Sequence, residues 1–341
     1  MNIKRFVFFV VMAALVAAPM FAAGEQEAGD AASGEQEDVT LRVGLIDPPG
    51  HIDVQATERM ADLVEEKTDG GLTLEVYPAA ELGNAPDLLE GLTLGTVQMF
   101  VGATTWLGSY DIDYWISGVL YMFNDQEHAR VILAGEAFED LRETVREEHG
   151  IRVLTQSWDR GPRNFISTQP IETPEDLEGL RIRVPEQKSW INNFELAGAN
   201  PTPIALAETF TGLQQGVVSA TQQASNWLYF NNYHQVAENL TLSNHNYEET
   251  GVMISEDVYQ DLPESYQTAI TEAANEVTEW HNEQVLQEIE EAEAEMAEEG
   301  INIIEVDQEA WKDHFREIIP ELAEVVGYSD SLLNSIMETW D

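Results

Sequence analysis

Along the chain, short stretches of alternating apolar and polar residues give way repeatedly to stretches with apolar residues every three or four positions. Leu41, Val43 and Leu45 alternate with their neighbours as in a strand, and the run breaks at Asp47-Pro48-Pro49-Gly50. Residues 54–68 place Met60, Leu63 and Val64 on one helical face, and Thr68-Asp69-Gly70-Gly71 turns the chain into an alternating strand at 72–77. Strand, amphipathic helix and strand in this order predict a parallel pair with a right-handed crossover. The same reading gives helix at 84–94, strand at 97–102, helix at 125–148 and strand at 151–156. Further on it gives helices at 188–196 and 206–216, a short strand at 217–222, and a strand at 240–245. A long helix is expected over 264–299, with Ile270, Ala273, Val277 and Trp280 at helical spacing. A last strand at 301–306 precedes a helical segment over 308–340 that Pro320 should interrupt. Strands alternating with helices throughout define an α/β fold.

The first 38 residues do not share this pattern. Lys4-Arg5, an apolar run at 6–18 and the small residues of Pro19-Met20-Phe21-Ala22-Ala23 read as an export signal over 1–23, cleaved after Ala22 or Ala23. The apolar run is too short for a comfortable membrane span. Residues 24–38 read as a flexible acidic leader. The mature chain is therefore expected to be exported. It has no cysteine, which excludes disulfides, thiolate metal sites and a lipoprotein anchor.

Charge narrows the function further. The 341 residues hold 63 Asp+Glu against 16 Lys+Arg, a formal net charge of −47. Repulsion at that level argues against nucleic acid and anionic membranes as partners. A hydrophobic fraction of 43% is that of a folded protein, so disorder does not account for the charge. An acidic coat with few lysines suits a salty habitat, where screening acts within about 10 Å or less. Against this background several arginines gather between residues 161 and 223. Arg181 and Arg183 alternate with Ile182 and Val184, so both point to one face of a strand, with Arg181 placed to pair outward with Glu178. A guanidinium beside apolar strands matches a planar carboxylate with two parallel hydrogen bonds.

Several motifs occur together in a specific order. They are Tyr77-Pro78 with Glu81-Leu82-Gly83, Gly161-Pro162-Arg163, Pro170-Ile171 with Thr173-Pro174-Glu175-Asp176-Leu177, and Gly179-Leu180-Arg181-Ile182-Arg183-Val184-Pro185. Leu196-Ala197-Gly198-Ala199-Asn200-Pro201-Thr202-Pro203, the segment 208–218 and Ser243-Asn244-His245 complete the set. Across nearly the whole mature chain the sequence resembles the solute-binding proteins of tripartite ATP-independent periplasmic (TRAP) transporters. The resemblance implies a two-lobed Venus-flytrap protein with a ligand cleft between the lobes and hinge closure on an organic acid. The ligand would then pass to a membrane permease driven by an ion gradient. Lobe I is expected to comprise 39–160 and about 249–290, and lobe II 161–248 and about 291–341.

By the same resemblance Arg183 is the principal carboxylate-binding arginine and Arg163 the second. Gln223 stands where the family usually has Asn, in a segment lacking two customary acidic positions. Leu120 stands where a proline is usual. Leu206 is expected against the ligand, and Asn84, Ala103 and Thr104 on the first lobe's side of it. Trp158 and Trp227, with Trp106 and Tyr110, are candidate cleft walls. His51 and Asp47 follow the first strand and are within reach of the cleft, whereas His245 is expected to stabilise the structure between the lobes. A buried guanidinium without a partner is costly, so ligand-driven closure has a physical basis.

The leading function is capture of a small carboxylate such as a sugar acid, hydroxy acid or dicarboxylate, by a monomer without cofactor. A zwitterionic osmolyte such as ectoine is the alternative within binding proteins. A ligand-sensing subunit for a membrane receptor would read identically. An enzyme is disfavoured, because neither G-x-S-x-G nor an acid pair stands at a strand end. The seven histidines show no metal-ligating spacing.

Overall fold

A computed structural model describes residues 38–340. The expected signal at 1–23 and all but the last residue of the leader at 24–38 lie outside the described residues. The first half begins with β1 (Val39–Gly44), α1 (Ile52–Lys67) and β2 (Leu72–Tyr77), the two strands pairing in parallel as the pattern predicts. Next come α2 (Ala85–Leu94) and β3 (Met99–Ala103), which lies parallel to the other edge of β1. The Asp87 carboxylate accepts the Asn84 N–H at 2.9 Å, and Gly95 ends α2 in the left-handed region. The single helix expected at 125–148 is instead α3 (Gln126–Leu133) and α4 (Glu136–His149). Gly135, in extended conformation, caps the second helix and breaks the first.

Next, β4 (Ile151–Ser167) is far longer than the expected 151–156. The second half continues with β5 (Arg181–Val184), α5 (Lys188–Leu196), β6 (Asn200–Pro203), α6 (Thr209–Gln214), β7 (Ala220–Ala224), α7 (Ser225–Phe230) and β8 (Asn239–Leu242). The chain returns through β9 (Tyr247–Ser255), which the sequence pattern did not reveal. Glu248, Glu249 and Gly251 interrupt its apolar alternation, yet all but Tyr247 are buried, so the strand is central rather than half-exposed. After it come α8 (Glu256–Asp261), α9 (Glu264–Glu298), β10 (Asn302–Glu305), α10 (Gln308–Val326) and α11 (Asp330–Met337).

The strands run in the order β2-β1-β3-β9-β4-β7-β5-β6, with β8 beside β4 and β10 beside β8. Antiparallel β4 and β9 join the two halves: β4 pairs with β9 along its first part and with β7 and β8 near its end. Register slips at Val153/Thr155, Gln156/Trp158 and Asp159/Pro162 bend and twist this crossing. Gly161, at the last slip, has φ 77°, and a Cβ there would press on the Ile289 side chain.

The long helix α9 serves both halves. Tyr266, Ile270, Ala273 and Val277 pack with Val54, Met60 and Val64, whereas Ala292 and Met296 pack with Ile166, Leu213 and Leu240. Helix α10 does the same. Trp311 and Phe315 join Phe165 and Phe194, but Ile319 and Leu322, with Leu332, Leu333 and Ile336 of α11, join Phe100 and Phe138 in the first half. This packing departs from placing 291–341 wholly with lobe II, because an apolar helical face does not specify which core it will cover. Pro320 does not interrupt α10; the break comes at Gly327, φ 91°, where the left-handed conformation closes the helix.

Candidate ligand-binding site

A cavity of about 210 Å³ lies where the halves meet. The first half contributes residues just beyond the carboxyl ends of its parallel strands: Asp47 after β1, Ala79 and Asn84 after β2, Ala103 and Trp106 at β3. The second half does likewise, with Arg183 and Gln187 at β5, Leu206 after β6, and Gln223 and Trp227 at β7. Ligands in α/β sheets bind at strand carboxyl ends, and here two such ends face each other. Arg160, Arg163 and Glu248 from the crossing strands complete the wall. Ala79 and Ala80 both hold left-handed backbone, at a cost of about 1–3 kcal/mol each, and present only methyl groups to the space.

Arg183 sits between Ile182 and Val184, which anchor β5 in the core. Its Nε donates to the Ile204 carbonyl at 2.9 Å, and it forms no ion pair among the described residues. The residue is 4% exposed and lines the cavity, so the outer edge of its fork remains available. Burial pushes its guanidinium pKa down to about 10, with Tyr233 and Glu186 opposing. A buried cation without an anion is unfavourable by several kcal/mol. Arg183 is such a cation, buried at the cavity wall with no ion pair among the described residues.

Arg163 is different. Its guanidinium pairs with Glu248 and donates to the Gln222 side chain and, at 3.2 Å, to the Gln222 carbonyl. It also lies 4.6 Å over the Trp190 ring. Burial pushes its pKa down to about 10 despite Glu248. Glu248 accepts the Thr105 hydroxyl at 2.9 Å through its other oxygen. Arg163 lines the cavity, but its charge is already balanced.

Arg160 makes a second internal pair. Its Nη1 donates to Asp53 at 3.1 Å and to the Thr250 hydroxyl at 2.7 Å, while its guanidinium covers Trp227 at 5.0 Å. Asp53 also meets His281 Nε2 at 2.9 Å. Burial opposes ionisation of Asp53, but the His281 hydrogen bond and the Arg160 charge hold its carboxyl well below the usual range.

Asp47 has no such partners. It is 1% exposed, and neither carboxylate oxygen has a hydrogen bond among the described residues. Burial, then Asp53, push its pKa up to about 7 against the pull of Arg160. His51 caps α1, with Nδ1 accepting the Asp53 N–H at 3.2 Å. Its ring lies 4.1 Å from Trp227, so it braces that wall from behind. Burial pushes its pKa down to about 4, with Asp53 opposing. Histidine spacing gave no sign that Asp47, His51 and Asp53 would bring ligand-type atoms within 4.8 Å of one another. Asp53 is committed to Arg160 and His281, and His51 Nδ1 to a backbone N–H, so the cluster is an ion-pair network with one free acid.

Of the residues singled out in the sequence, Arg183, Arg163, Gln223, Leu206, Trp227, Ala103, Asn84 and Asp47 meet at the cavity, as does Trp106. Trp158 does not: the neighbouring slip turns it towards α9, where Nε1 donates to the Ala274 carbonyl at 3.1 Å and the ring stacks on His281. Thr104 is buried behind the wall, its methyl against Gly251, because the 3-10 turn over Thr104–Ser109 presents Thr105 instead. Tyr110 packs beside His149. His245 stacks on Phe165 at 4.3 Å and bonds Ser243 at 2.8 Å. Arg181 donates to the Gly216 and Val217 carbonyls, not to Glu178. Sequence reasoning missed Arg160, Glu248, Gln187 and Trp190; Glu248 lies on the unrecognised strand.

Two α/β lobes joined by crossing strands, with a cavity lined by a buried arginine where they meet, define a solute-binding protein of the Venus-flytrap class. The chain belongs to the bacterial extracellular solute-binding protein family 7, the solute-binding subunits of TRAP transporters, whose model matches residues 43–325. It is similar to the sialic acid-binding periplasmic protein SiaP of Vibrio cholerae, 26% identical over 87% of this chain and 92% of that protein. The 2,3-diketo-L-gulonate-binding periplasmic protein YiaO of Escherichia coli K12 is 29% identical over 76% of this chain and 79% of its own. Among solved structures, a TRAP periplasmic solute-binding protein from Roseobacter denitrificans with bound β-D-glucuronate superposes with TM-score 0.82. It is 25% identical and covers 87% of this chain and 99% of its own. One from Ochrobacterium anthropi with bound L-fuconate gives 0.81 at 27% identity, covering 88% and 98%. These are binding proteins rather than enzymes. No helix among the described residues is long and apolar enough to cross a membrane.

Proposed function

We propose that the protein captures a small organic carboxylate, of the sugar-acid or hydroxy-acid kind, on Arg183 and delivers it to the membrane subunits of a TRAP permease. The observation that carries this reading is the buried Arg183 guanidinium, held by the Ile204 carbonyl and in no ion pair among the described residues, at the wall of the cavity. The ligands named for the similar structures, β-D-glucuronate and L-fuconate, each present a carboxylate. Two parallel charge-assisted bonds from the arginine would hold it, and closure of the lobes would exclude water around them. The proposed lobes are 39–160 with about 249–290, and 161–248 with the segment after 290 up to Phe315; the helices beyond rejoin the first lobe. Export after cleavage at Ala22 or Ala23, action as a monomer in the periplasm and a high-salt habitat belong to the same proposal. A charge of −47 does not conflict with anion capture in salt, because screening removes the long-range field while contact at a desolvated arginine is little screened.

Asp47 favours one second reading. A zwitterionic osmolyte would set its carboxylate on Arg183 and its cationic nitrogen on Asp47. Thermal-shift screening of acids and osmolytes in about 1–2 M NaCl, where surface repulsion is screened, separates the two. Stabilisation should grow with ligand concentration over Kd. Stabilisation by betaines or ectoine without any by carboxylates would overturn the first reading.

A further inference from the structure

The cavity holds more chemistry than an anion clamp. Its cations are Arg160, Arg163 and Arg183. The first is matched by Asp53 and the second by Glu248, which leaves Arg183 as the positive end. On the acid side Asp53 and Glu248 are thereby used; Glu186, exposed, lines the cavity on the Arg183 side, and Asp47 is the buried lining acid with both oxygens unpartnered among the described residues. Gln187 adds a buried side-chain oxygen that also lacks a partner and lines the same space. Beyond the Arg183 fork, the wall thus offers the acceptors Asp47 and Gln187 Oε1, the side-chain amides of Asn84, Gln223 and Asn231, and tryptophan and small apolar side chains.

We infer that Asp47 is a second anchor that selects the ligand: it accepts hydrogen bonds from hydroxyl groups remote from the carboxylate and excludes acids bearing a second carboxylate. This inference rests on the reading that Arg183 holds a carboxylate. A polyhydroxy monocarboxylate satisfies both ends. A dicarboxylate satisfies Arg183 but drives its other charge against Asp47 in a desolvated space, where like charges repel strongly. A hydrogen bond to a charged acceptor is worth about 10- to 150-fold in affinity, so a single residue can set the preference. Protonation of Asp47 would relieve the repulsion. Asp53 and His51 from the α1 side and Arg160 from β4 face it, and burial with Asp53 raises its pKa to about 7. The discrimination belongs above that pH and should narrow below it.

Titration calorimetry in about 1–2 M NaCl, chosen for surface screening, tests this at pH 8 and pH 6. The probes are D-glucuronate, D-galacturonate, L-fuconate and D-erythronate against succinate and malate. At pH 8 the tightest hydroxylated monocarboxylate should bind at least about 30-fold more tightly than either dicarboxylate, within the range a charged hydrogen bond permits. Asp47→Asn should weaken it about 10- to 100-fold and bring the dicarboxylates closer. Dicarboxylate binding within about threefold of the best hydroxy acid, or a preference unchanged in Asp47→Asn, overturns the inference. If Arg183→Lys weakens binding at least about 30-fold in that case, carboxylate capture stands. Failure of all six acids to bind the natural chain overturns both. Because Asp47 bonds to no other side chain among the described residues, its replacement should leave the ligand-free melting temperature intact or higher.

Discussion

Replacing Arg183 by Lys keeps the charge and removes the geometry. In the natural chain Nε is fixed on the Ile204 carbonyl at 2.9 Å, which holds the guanidinium plane, and Arg183 lines the cavity. An ammonium has three donors around one atom and cannot bond that carbonyl and both oxygens of a carboxylate in one plane. The ligand loses at least one charged hydrogen bond, about 1.5–3 kcal/mol, and a buried oxygen is left short of a donor. Together these come to about 2–4 kcal/mol, which weakens binding about 30- to 1,000-fold. Calorimetry with the best acid found by screening measures the loss directly. The ligand-free melting temperature serves as the control for folding, since Ile182 and Val184 keep β5 packed and the charge is unchanged. A folded Arg183→Lys variant that binds within about threefold of the natural chain would refute the assignment of the clamp.

Three further outcomes follow from the same geometry. Glu248→Ala leaves the Arg163 guanidinium buried without its acid and should cost about 3–5 kcal/mol in urea unfolding. The double variant Arg163→Met/Glu248→Leu should recover most of this, and equal losses in single and double variants would exclude the charge imbalance as cause. For His51, the difference between its ordinary 6.5 and about 4 in the fold corresponds to about 3 kcal/mol. The unfolded chain takes up the proton first, so this stability is present above pH 6.5 and lost as pH falls towards 4. His51→Gln should therefore flatten that part of the stability profile, and parallel profiles for the two chains would disprove the contribution. Raising NaCl from about 0.1 to 2 M shortens the screening length from about 10 Å to below 3 Å, and with a net charge of −47 the melting temperature should climb. A flat or falling response would count against the high-salt habitat.

Much of this organisation can be read from consecutive residues. The β1–α1–β2 crossover, the bounds of α5 and the long α9 follow from apolar spacing and turn chemistry, which neighbours along the chain encode. Arg183 was identifiable because alternation with Ile182 and Val184 and the surrounding motif fixed its face. Where the pattern failed, a local break or a distant contact was the cause. Gly135 split a helix whose flanks look continuous, and Glu248, Glu249 and Gly251 disguised a strand whose polar side chains are buried by contacts far away in sequence. Likewise, a 3-10 turn exposed Thr105 in place of Thr104, and a slipped register sent Trp158 into the core.

What the sequence by itself determined is therefore the kind of protein and one end of its ligand. The state of each buried charge was decided only by the tertiary structure. Arg163 and Arg183 look equivalent as motif arginines, yet Arg163 pairs with Glu248, 85 residues away in the chain, and Arg183 forms no ion pair among the described residues. Asp47 and Asp53 stand six residues apart, yet one is held ionised by Arg160 and His281 while the other faces the cavity alone. A sequence with 63 acidic residues offers every arginine many possible partners. Ion pairing acts over about 4 Å, a distance that only the folding of β4 and β9 against both sheets defines.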